Sequence, residues 1–216
     1  MDLDFTVIWS HRAALLTGLG NTLLITLATT LSGALLGGMA ALARHLAVGP
    51  LRWLALGYII GVRALPDVVL IFWLYSCLPL LLDLSLSALA TGILTLTLVH
   101  GAYFAEVLRS GIQAVPPGQW EAGRALGLNT PSLWSWIVLP QALQLMMPAL
   151  LTFVVNVIKG TGLLATINVG ELVYHATLVS AETFRYFEVL TVMGFFYFCL
   201  ILPLSIAAQW LERRLY

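Results

Sequence analysis

Four ionisable side chains lie in or beside long apolar stretches of this sequence, where a charge is costly unless it is paired or functional. Glu106 precedes Arg109 by three residues, a spacing at which the two side chains can form an ion pair on one helix face. Asp67 follows Pro66 at a predicted helix start, where the helix dipole stabilises a carboxylate. Lys159 is the only lysine and ends an apolar stretch. Such charges could alternatively contact a polar molecule that crosses a membrane.

Other reactive residue types occur in patterns that support no enzyme chemistry. Lys159 precedes Gly-Thr-Gly and is not part of the Gly-x-x-x-x-Gly-Lys-Ser/Thr loop that binds nucleotide phosphates. Cys77 and Cys199 both lie in apolar runs, which supports neither a disulfide framework nor a zinc site. Only His100 among the scattered histidines lies in the middle of an apolar stretch, whereas a haem anchor needs paired histidines. We therefore expect no enzyme activity and no metal or cofactor bound by this chain.

The composition is that of an integral membrane protein. Of 216 residues, 60% are hydrophobic and only 9% are charged, whereas soluble domains have about 25% charged residues. The sequence contains 10 basic (Lys and Arg) and 10 acidic residues, so no positive surplus is available to bind nucleic acid. These numbers exclude a soluble enzyme and a nucleic-acid-binding protein.

Stretches without charged residues predict helices that cross the lipid bilayer. A bilayer core about 30 Å thick requires roughly 20 apolar residues in a helix. We predict an all-α membrane protein with a single domain, 1–216. Its five predicted spans cover residues 15–43, 66–82, 86–108, 134–158 and 187–211. The stretch Leu51 to Val62 is too short to cross and is interpreted as a helix at the membrane surface.

The positions of the basic residues predict the orientation in the membrane. With the N-terminus outside and the C-terminus inside, the cytoplasmic segments contain Arg44, Arg52, Arg63, Arg109, Arg124, Arg213 and Arg214. Only Arg12, Lys159 and Arg185 then lie outside. This distribution agrees with the rule that cytoplasmic loops are enriched in Lys and Arg, and the opposite topology would violate it.

The segment between the third and fourth spans predicts a short cytoplasmic helix at about 117–127. Pro116 and Pro117 suit a helix start, Gly127 can end the helix in the left-handed conformation, and Pro131 prevents its continuation. Trp120, Ala125 and Leu126 are expected to expose apolar surface. Because so short a helix is marginal in water, it must dock either on its own membrane domain or on a partner.

The segment from Lys159 to Tyr186 has two possible interpretations. Its apolar, glycine-flanked part, Gly162 to Gly170, is compatible with a re-entrant or gating helix, which is tolerated at membrane depth only where it lines a protein cavity. The alternative is an ordinary external loop. Glu171 and His175 could line the same opening as Lys159.

The predicted cytoplasmic helix carries a motif with a specific spacing. Glu121-Ala122-Gly123, then Gly127 and Ile137-x-Leu139-Pro140, resembles the EAA motif of ATP-binding-cassette importer permeases, with Gly123 where that family usually has a second alanine. From about Gly18 to the C-terminus the chain resembles the polar amino-acid subfamily, which imports histidine, arginine, glutamate, glutamine or opines. The similar segments are Gly101 to Pro116, Gly118 to Ala122, Leu139 to Leu143, Thr183 to Glu188 and Leu211 to Leu215.

The resemblance implies the type I importer permease fold, with five or six spans and an outside N-terminus, in the bacterial cytoplasmic (inner) membrane. It implies a transport subunit whose partner ATPase subunits bind ATP and Mg²⁺ in the cytoplasm. Further implied partners are an extracytoplasmic amino-acid-binding protein and a second permease, either an identical copy or a related chain. The helix at about 117–127 would be a coupling helix, with Glu121 as a charged anchor, Ala122 and Gly123 allowing close approach to the ATPase, and Gly127 permitting a sharp exit.

The substrate is less well determined by the sequence. The subfamily has an acid after the lysine of Lys-Asp-Thr-Ser-Leu, whereas the corresponding residue here is Gly160. Lys159 and the Thr161 hydroxyl therefore favour an acidic or neutral amino acid, since a cationic one needs acids along its path. Asp67, at a position where the subfamily usually has an apolar residue, and Glu106 could still receive a cation. Lys159 could instead extend to the membrane surface.

A different class of protein, a proton-coupled secondary transporter, remains an alternative. Glu106 or Asp67 would then relay protons. That class usually has internal repeats and more spans, and we find no convincing repeat between the two halves. Small residues in the first span, such as Gly33, Gly37 and Gly38, predict close helix packing within or between subunits.

Overall fold

The computed structural model describes residues 3–46, 49–83 and 86–215, and every regular element in these ranges is a helix. The α-helices are α1 Thr6–Ser10, α2 Arg12–Leu46, α3 Pro50–Arg63, α4 Asp67–Ser76, α5 Leu78–Leu82, α6 Ala88–Gln113, α7 Pro117–Ala125, α8 Thr130–Leu133, α9 Leu139–Thr161, α10 Leu172–Thr183 and α11 Tyr186–Leu215. A π-helical turn, Trp134–Val138, joins α8 to α9. The prediction of an all-α membrane protein is confirmed.

Four continuous helical segments in the described residues are long and apolar enough to cross a membrane. They are Arg12–His45, Ala88–Gln113, Thr130–Ile167 and Tyr186–Leu215. Helices α3 and α4 meet at 106° and together could form a fifth span or a re-entrant element. These helices overlap the five predicted spans, whose lipid boundaries stay a prediction.

The predicted span at about 66–82 is not one continuous helix. It is divided at Cys77 into α4, with 10 residues, and α5, with 5 residues. Pro79 is the second residue of α5. Because proline has no backbone N–H, it removes a helical hydrogen bond and favours a break at this point. The apolar stretch therefore predicted a helical segment here but not its break at Cys77.

Helices α2 and α6 form the central pair of the bundle. An added Cβ at Gly37 would lie 2.3 Å from the carbonyl oxygen of Gly101, and one at Gly33 would lie 3.5 Å from the Gly101 nitrogen. Two backbones can come this close only where side chains are absent. Gly38, by contrast, has no neighbouring atom within 4 Å of an added Cβ. At Gly37, a small residue of the first span therefore serves packing within the chain, whereas an added Cβ at Gly33 would make only an ordinary contact.

We expect the Gly37→Ala substitution to destabilise the protein by about 1–3 kcal/mol, because the obstructing atom is a backbone oxygen and the two helices must separate. The matched control is Gly38→Ala, which should leave stability unchanged or slightly improved, since alanine is the better helix former. Thermal unfolding of both variants in detergent measures the difference. Equal unfolding temperatures would contradict the tight contact at Gly37.

The segment between α9 and α11 turns back into the bundle. It continues α9 as a 3₁₀ helix, Gly162–Ile167, reverses at Asn168 with a left-handed φ of 60°, and returns as α10. Leu164 is fully buried and packs over Gly92, where an added Cβ would lie 2.9 Å from its Cδ1. The segment is therefore packed against the bundle, and its role as a re-entrant or gating helix rather than an external loop stays a prediction.

Candidate functional site

A cavity of about 370 Å³ lies between the start of α4, the middle of α6 and the end of α9. It is lined by Asp67, His100, Tyr103, Phe153, Asn156, Lys159, Gly160 and Leu163. The structure thus brings Asp67 and Lys159, two of the predicted site residues, to the same cavity, although they are far apart in the sequence. Among the described residues, one acidic and one basic side chain line this cavity.

A second cavity of about 480 Å³ adjoins the first, because Tyr103, Phe153 and Asn156 line both. It extends toward the end of α6 and reaches Glu106 and Glu212. The α9 residues that line the two cavities extend from Leu145 to Gly160, a distance of about 23 Å at the usual helical rise. We call the two connected cavities the groove. Its length along α9 is about three quarters of the thickness of a bilayer core, which is about 30 Å.

One face of α6 and one face of α9 form the walls of the groove. The lining residues recur three or four positions apart, which is the spacing of a single helix face. On α6 they are His100, Tyr103, Glu106, Val107 and Ser110; on α9 and just beyond they are Leu145, Pro148, Ala149, Thr152, Phe153, Asn156, Lys159, Gly160 and Leu163.

Three polar residues of the α9 face, Thr152, Asn156 and Lys159, are exposed in the single chain. Polar groups in contact with hydrocarbon are costly. Since α9 is a candidate membrane span, this face is suited to a water-filled path or to contact with another subunit. Asn156 was not predicted from the sequence, although its position three residues before Lys159 places the two on one face.

Glu106 lies in a cluster of three guanidinium groups rather than in a simple pair. Its Oε1 accepts a hydrogen bond from Nε of Arg109 at 2.6 Å, and its Oε2 lies 3.3 Å from Nη1 of Arg44 and 3.8 Å from Nη1 of Arg63. The predicted local ion pair with Arg109 is confirmed. The cluster connects α2, α3 and α6, and its excess positive charge makes Glu106 a poor receptor for a cationic substrate.

Thr161, Glu171 and His175 do not line the groove, contrary to expectation. The Thr161 hydroxyl is buried and donates to the carbonyl oxygen of Ile158 at 2.8 Å. Glu171 is fully buried and caps α10 by accepting from the Tyr174 N–H at 2.8 Å. His175 lies beside Gly18 and Gly170. These contacts lie within α9, at the start of α10 and against α2, and the spacing of the sequence does not reveal the last of them.

Helix α7 covers most of the predicted short cytoplasmic helix. It begins at Pro117 and ends at Ala125, and Gly127 follows with φ of 74°, so the predicted left-handed exit is confirmed. Glu121, Ala122 and Leu126 are exposed, with 77% of Leu126 accessible. A charged residue beside two apolar ones therefore forms an outer face of this segment that is free in the single chain.

The inner face of α7 packs on its own chain. The rings of Trp120 and Trp134 meet edge to face at 5.3 Å, so Trp120, expected to expose apolar surface, is partly buried. Gly123 is buried, and an added Cβ would lie 2.3 Å from Cδ1 of Leu133 and 3.0 Å from Cδ1 of Ile137. The absence of a side chain at Gly123 therefore serves this internal contact, in contrast to the predicted contact with a partner.

The fold, the polar groove and the exposed short helix together define a membrane transport subunit. Residues 33–216 match the family described as binding-protein-dependent transport system inner membrane component, and the chain belongs to that family. The prediction of an importer permease, a transport subunit and not itself an enzyme, is confirmed.

Three similar proteins match this chain over nearly their whole length. The probable glutamine ABC transporter permease protein GlnM of Bacillus subtilis (strain 168) is 32% identical over 99% of this chain and 98% of its own length. The arginine transport system permease protein ArtQ of the same organism is 30% identical over 100% and 98%. A solved structure titled "Crystal structure of an amino acid ABC transporter with histidines" has a TM-score of 0.91 at 30% identity, covering 99% of this chain and 100% of that chain. These relatives confirm the resemblance to polar amino-acid permeases and the type I importer permease fold.

Proposed function

We propose that this chain forms part of the pathway of an ATP-driven importer for an acidic or neutral polar amino acid. The observation that carries the proposal is the groove in which Asp67 and Lys159 lie together. An amino acid brings one carboxylate and one ammonium group, and a cavity with one side chain of each sign can compensate both charges. Opposite charges are needed because the low-dielectric interior of the membrane replaces little of the lost hydration.

The distribution of acids argues against a cationic cargo. In the part of the chain that the structure describes, Asp67 is the one acid that lines the cavity with Lys159, and Gly160 adds no second carboxylate. Glu106 lies within 4 Å of three arginine side chains. Within the cavity that contains Lys159, a positively charged side chain would therefore lack a counter-charge of its own, since Glu212 lines only the other end of the groove. The similar proteins do not decide this question, since their names include both glutamine and arginine transport.

The proposed assembly places this chain in the bacterial cytoplasmic membrane beside a second permease, identical or related. Its exposed polar α9 face supports such a partner or a water-filled path. Cytoplasmic subunits that bind ATP and Mg²⁺ would contact the outer face of α7 through Glu121, Ala122 and Leu126, with Gly127 setting the exit. An extracytoplasmic amino-acid-binding protein would deliver the cargo.

Uptake by the reconstituted importer tests the proposal. Proteoliposomes that contain the permease with its ATPase should accumulate labelled glutamine or glutamate when ATP and the binding protein are supplied. Unlabelled arginine and lysine should compete poorly. The proposed substrate class is wrong if the cationic amino acids are the preferred cargo, and the importer itself is wrong if no amino acid accumulates.

The proposed orientation predicts which residues react from outside the cell. After replacement of the native Cys77 and Cys199, a single cysteine at Thr177 should react with an impermeant thiol reagent in intact cells, and one at Gln119 should be protected. Both positions are exposed in the chain, so protection would reflect the membrane rather than burial. Permeabilised cells serve as the control, because both cysteines should then react. The opposite pattern would refute the outside N-terminus.

A further inference from the structure

A cavity of about 410 Å³ lies beside the short helix α7. Among the described residues, it shares no lining side chain with the groove. Its apolar wall is formed by Ile112, Val115, Trp120 and Trp134. The volume is in the range of protein pockets that bind ligands, about 300–1,000 Å³. We call this cavity the α7 pocket.

The aromatic rings of the α7 pocket are held in place by their neighbours. Trp134 meets Trp120 edge to face at 5.3 Å and His45 edge to face at 5.5 Å. Both tryptophans also pack on the buried side chains of Val115 and Leu133. Rigid aromatic walls with charged residues beside them are typical of sites that receive an anchor residue of a partner protein.

The α7 pocket connects α7 to both helices that form the walls of the groove. Ile112 is near the end of α6, and Trp134 begins the π-helical turn that leads into α9. Turns of this type occur frequently at functional sites. A group bound in the α7 pocket would therefore contact the cytoplasmic ends of α6 and α9 directly, in addition to α7.

We propose that the α7 pocket receives a bulky apolar side chain, aromatic or branched, of the partner ATPase subunit. The inference rests on the proposed assembly with cytoplasmic ATPase subunits. Glu121 lines the pocket and also belongs to the exposed outer face of α7, so the pocket continues the surface that is proposed to contact the ATPase. Glu121 and Arg124 contribute opposite charges to the lining, which favours no ionic occupant. The contact then has two parts, because α7 docks on the ATPase and the ATPase inserts a side chain beside α7.

Filling the pocket tests the proposal. Gln113 lines the α7 pocket and is exposed, so Gln113→Trp adds an indole ring there without replacing a buried side chain. The matched control is Gln119→Trp, at an exposed glutamine of α7 that accepts a hydrogen bond from Gln141 and is not among the residues that line the pocket. The purified ATPase is titrated against each permease in lipid nanodiscs.

We expect Gln113→Trp to weaken binding of the ATPase about tenfold or more, because an apolar side chain that is kept out of its site loses its hydrophobic contribution. Gln119→Trp should change the affinity by no more than about twofold, as is usual for a surface substitution away from the contact.

A second measurement detects occupancy of the pocket directly. After replacement of the native Cys77 and Cys199, a single cysteine in His45→Cys should react with a maleimide in the isolated permease and lose most of this reactivity when the ATPase is bound. The control is Thr177→Cys, at an exposed position of α10, which should react equally with and without the ATPase.

Several outcomes would overturn the inference. Equal affinities of the Gln113→Trp and Gln119→Trp permeases, or an undiminished reaction of His45→Cys in the complex, refute the insertion while the ATPase partnership still stands. A His45→Cys thiol that is already unreactive in the isolated permease refutes it as well, because the pocket is then filled by other atoms. If Gln113→Trp fails to assemble, the reactivity of His45→Cys decides. If the wild-type permease binds no ATPase, the proposed function itself fails.

Discussion

Replacement of Glu121 by lysine should reduce substrate-stimulated ATP hydrolysis about a hundredfold while the membrane domain still assembles. Glu121 is exposed on α7, and within the described residues it has no hydrogen bond or ion pair that the substitution would break. A charge that becomes buried in a protein interface contributes about 2–5 kcal/mol when its partner is lost, and reversal adds repulsion. ATPase activity with and without the binding protein and substrate measures the effect.

The control for this variant is Glu182→Lys, the same charge reversal at another exposed acid, near the end of α10. In the proposed orientation Glu182 lies on the opposite side of the membrane from α7. Reversal of its charge should therefore leave substrate-stimulated ATP hydrolysis intact. A Glu121→Lys complex that assembles and keeps stimulated hydrolysis would show that α7 is not the coupling contact.

Gly127→Val tests the exit of the same helix by a different physical effect. Gly127 has φ of 74° and no atom within 4 Å of an added Cβ, so the only obstacle to a side chain is the backbone conformation. A β-branched residue in this left-handed region costs roughly 1–2 kcal/mol or more, which should re-aim α7 and uncouple hydrolysis from transport. Gly118→Val adds the same bulk at a glycine with ordinary φ. In this control variant the coupling of ATP hydrolysis to transport should be affected far less.

Local signals in the sequence predicted the features that depend on neighbouring residues. The ion pair of Glu106 with Arg109 follows from their spacing on one helix, and the left-handed Gly127 follows from its place between a short helix and Pro131. The other two arginines of the cluster, Arg44 and Arg63, belong to α2 and α3. Their approach depends on how three helices pack, which no local pattern encodes.

Burial of single side chains was harder to predict because a short helix has two faces and two possible partners. Trp120 was expected on the outside, but the structure pairs it with Trp134, which follows α8. Thr161 was expected in the pathway because it is near Lys159, yet the two differ by only two positions and therefore point to different sides of α9. Asn156, at a helical spacing from Lys159, is the residue that shares its face.

Removing the positive charge and removing the negative charge of the cavity should shift substrate preference in opposite directions. Lys159→Ala leaves Asp67 as the remaining charge among the cavity-lining residues, so the cavity changes from balanced to net negative. Uptake of glutamate should then fall most, by roughly thirtyfold, as expected for about 2 kcal/mol from a hydrogen bond to a charged group. Glutamine uptake should fall less and arginine uptake least. Asp67→Asn makes the cavity net positive and should weaken arginine uptake more than glutamate uptake.

The matched control is Lys159→Arg, which keeps the positive charge and should retain the wild-type order of substrates. Competition between labelled glutamine and each unlabelled amino acid in proteoliposomes gives that order, and the amount of inserted protein normalises the rates. Unchanged uptake of both glutamate and arginine in Lys159→Ala would place Lys159 outside the pathway, with its ammonium group at the membrane surface instead. Opposite shifts in the Lys159 and Asp67 variants can arise only if both side chains act on the same substrate, because a general loss of folding would lower all rates together.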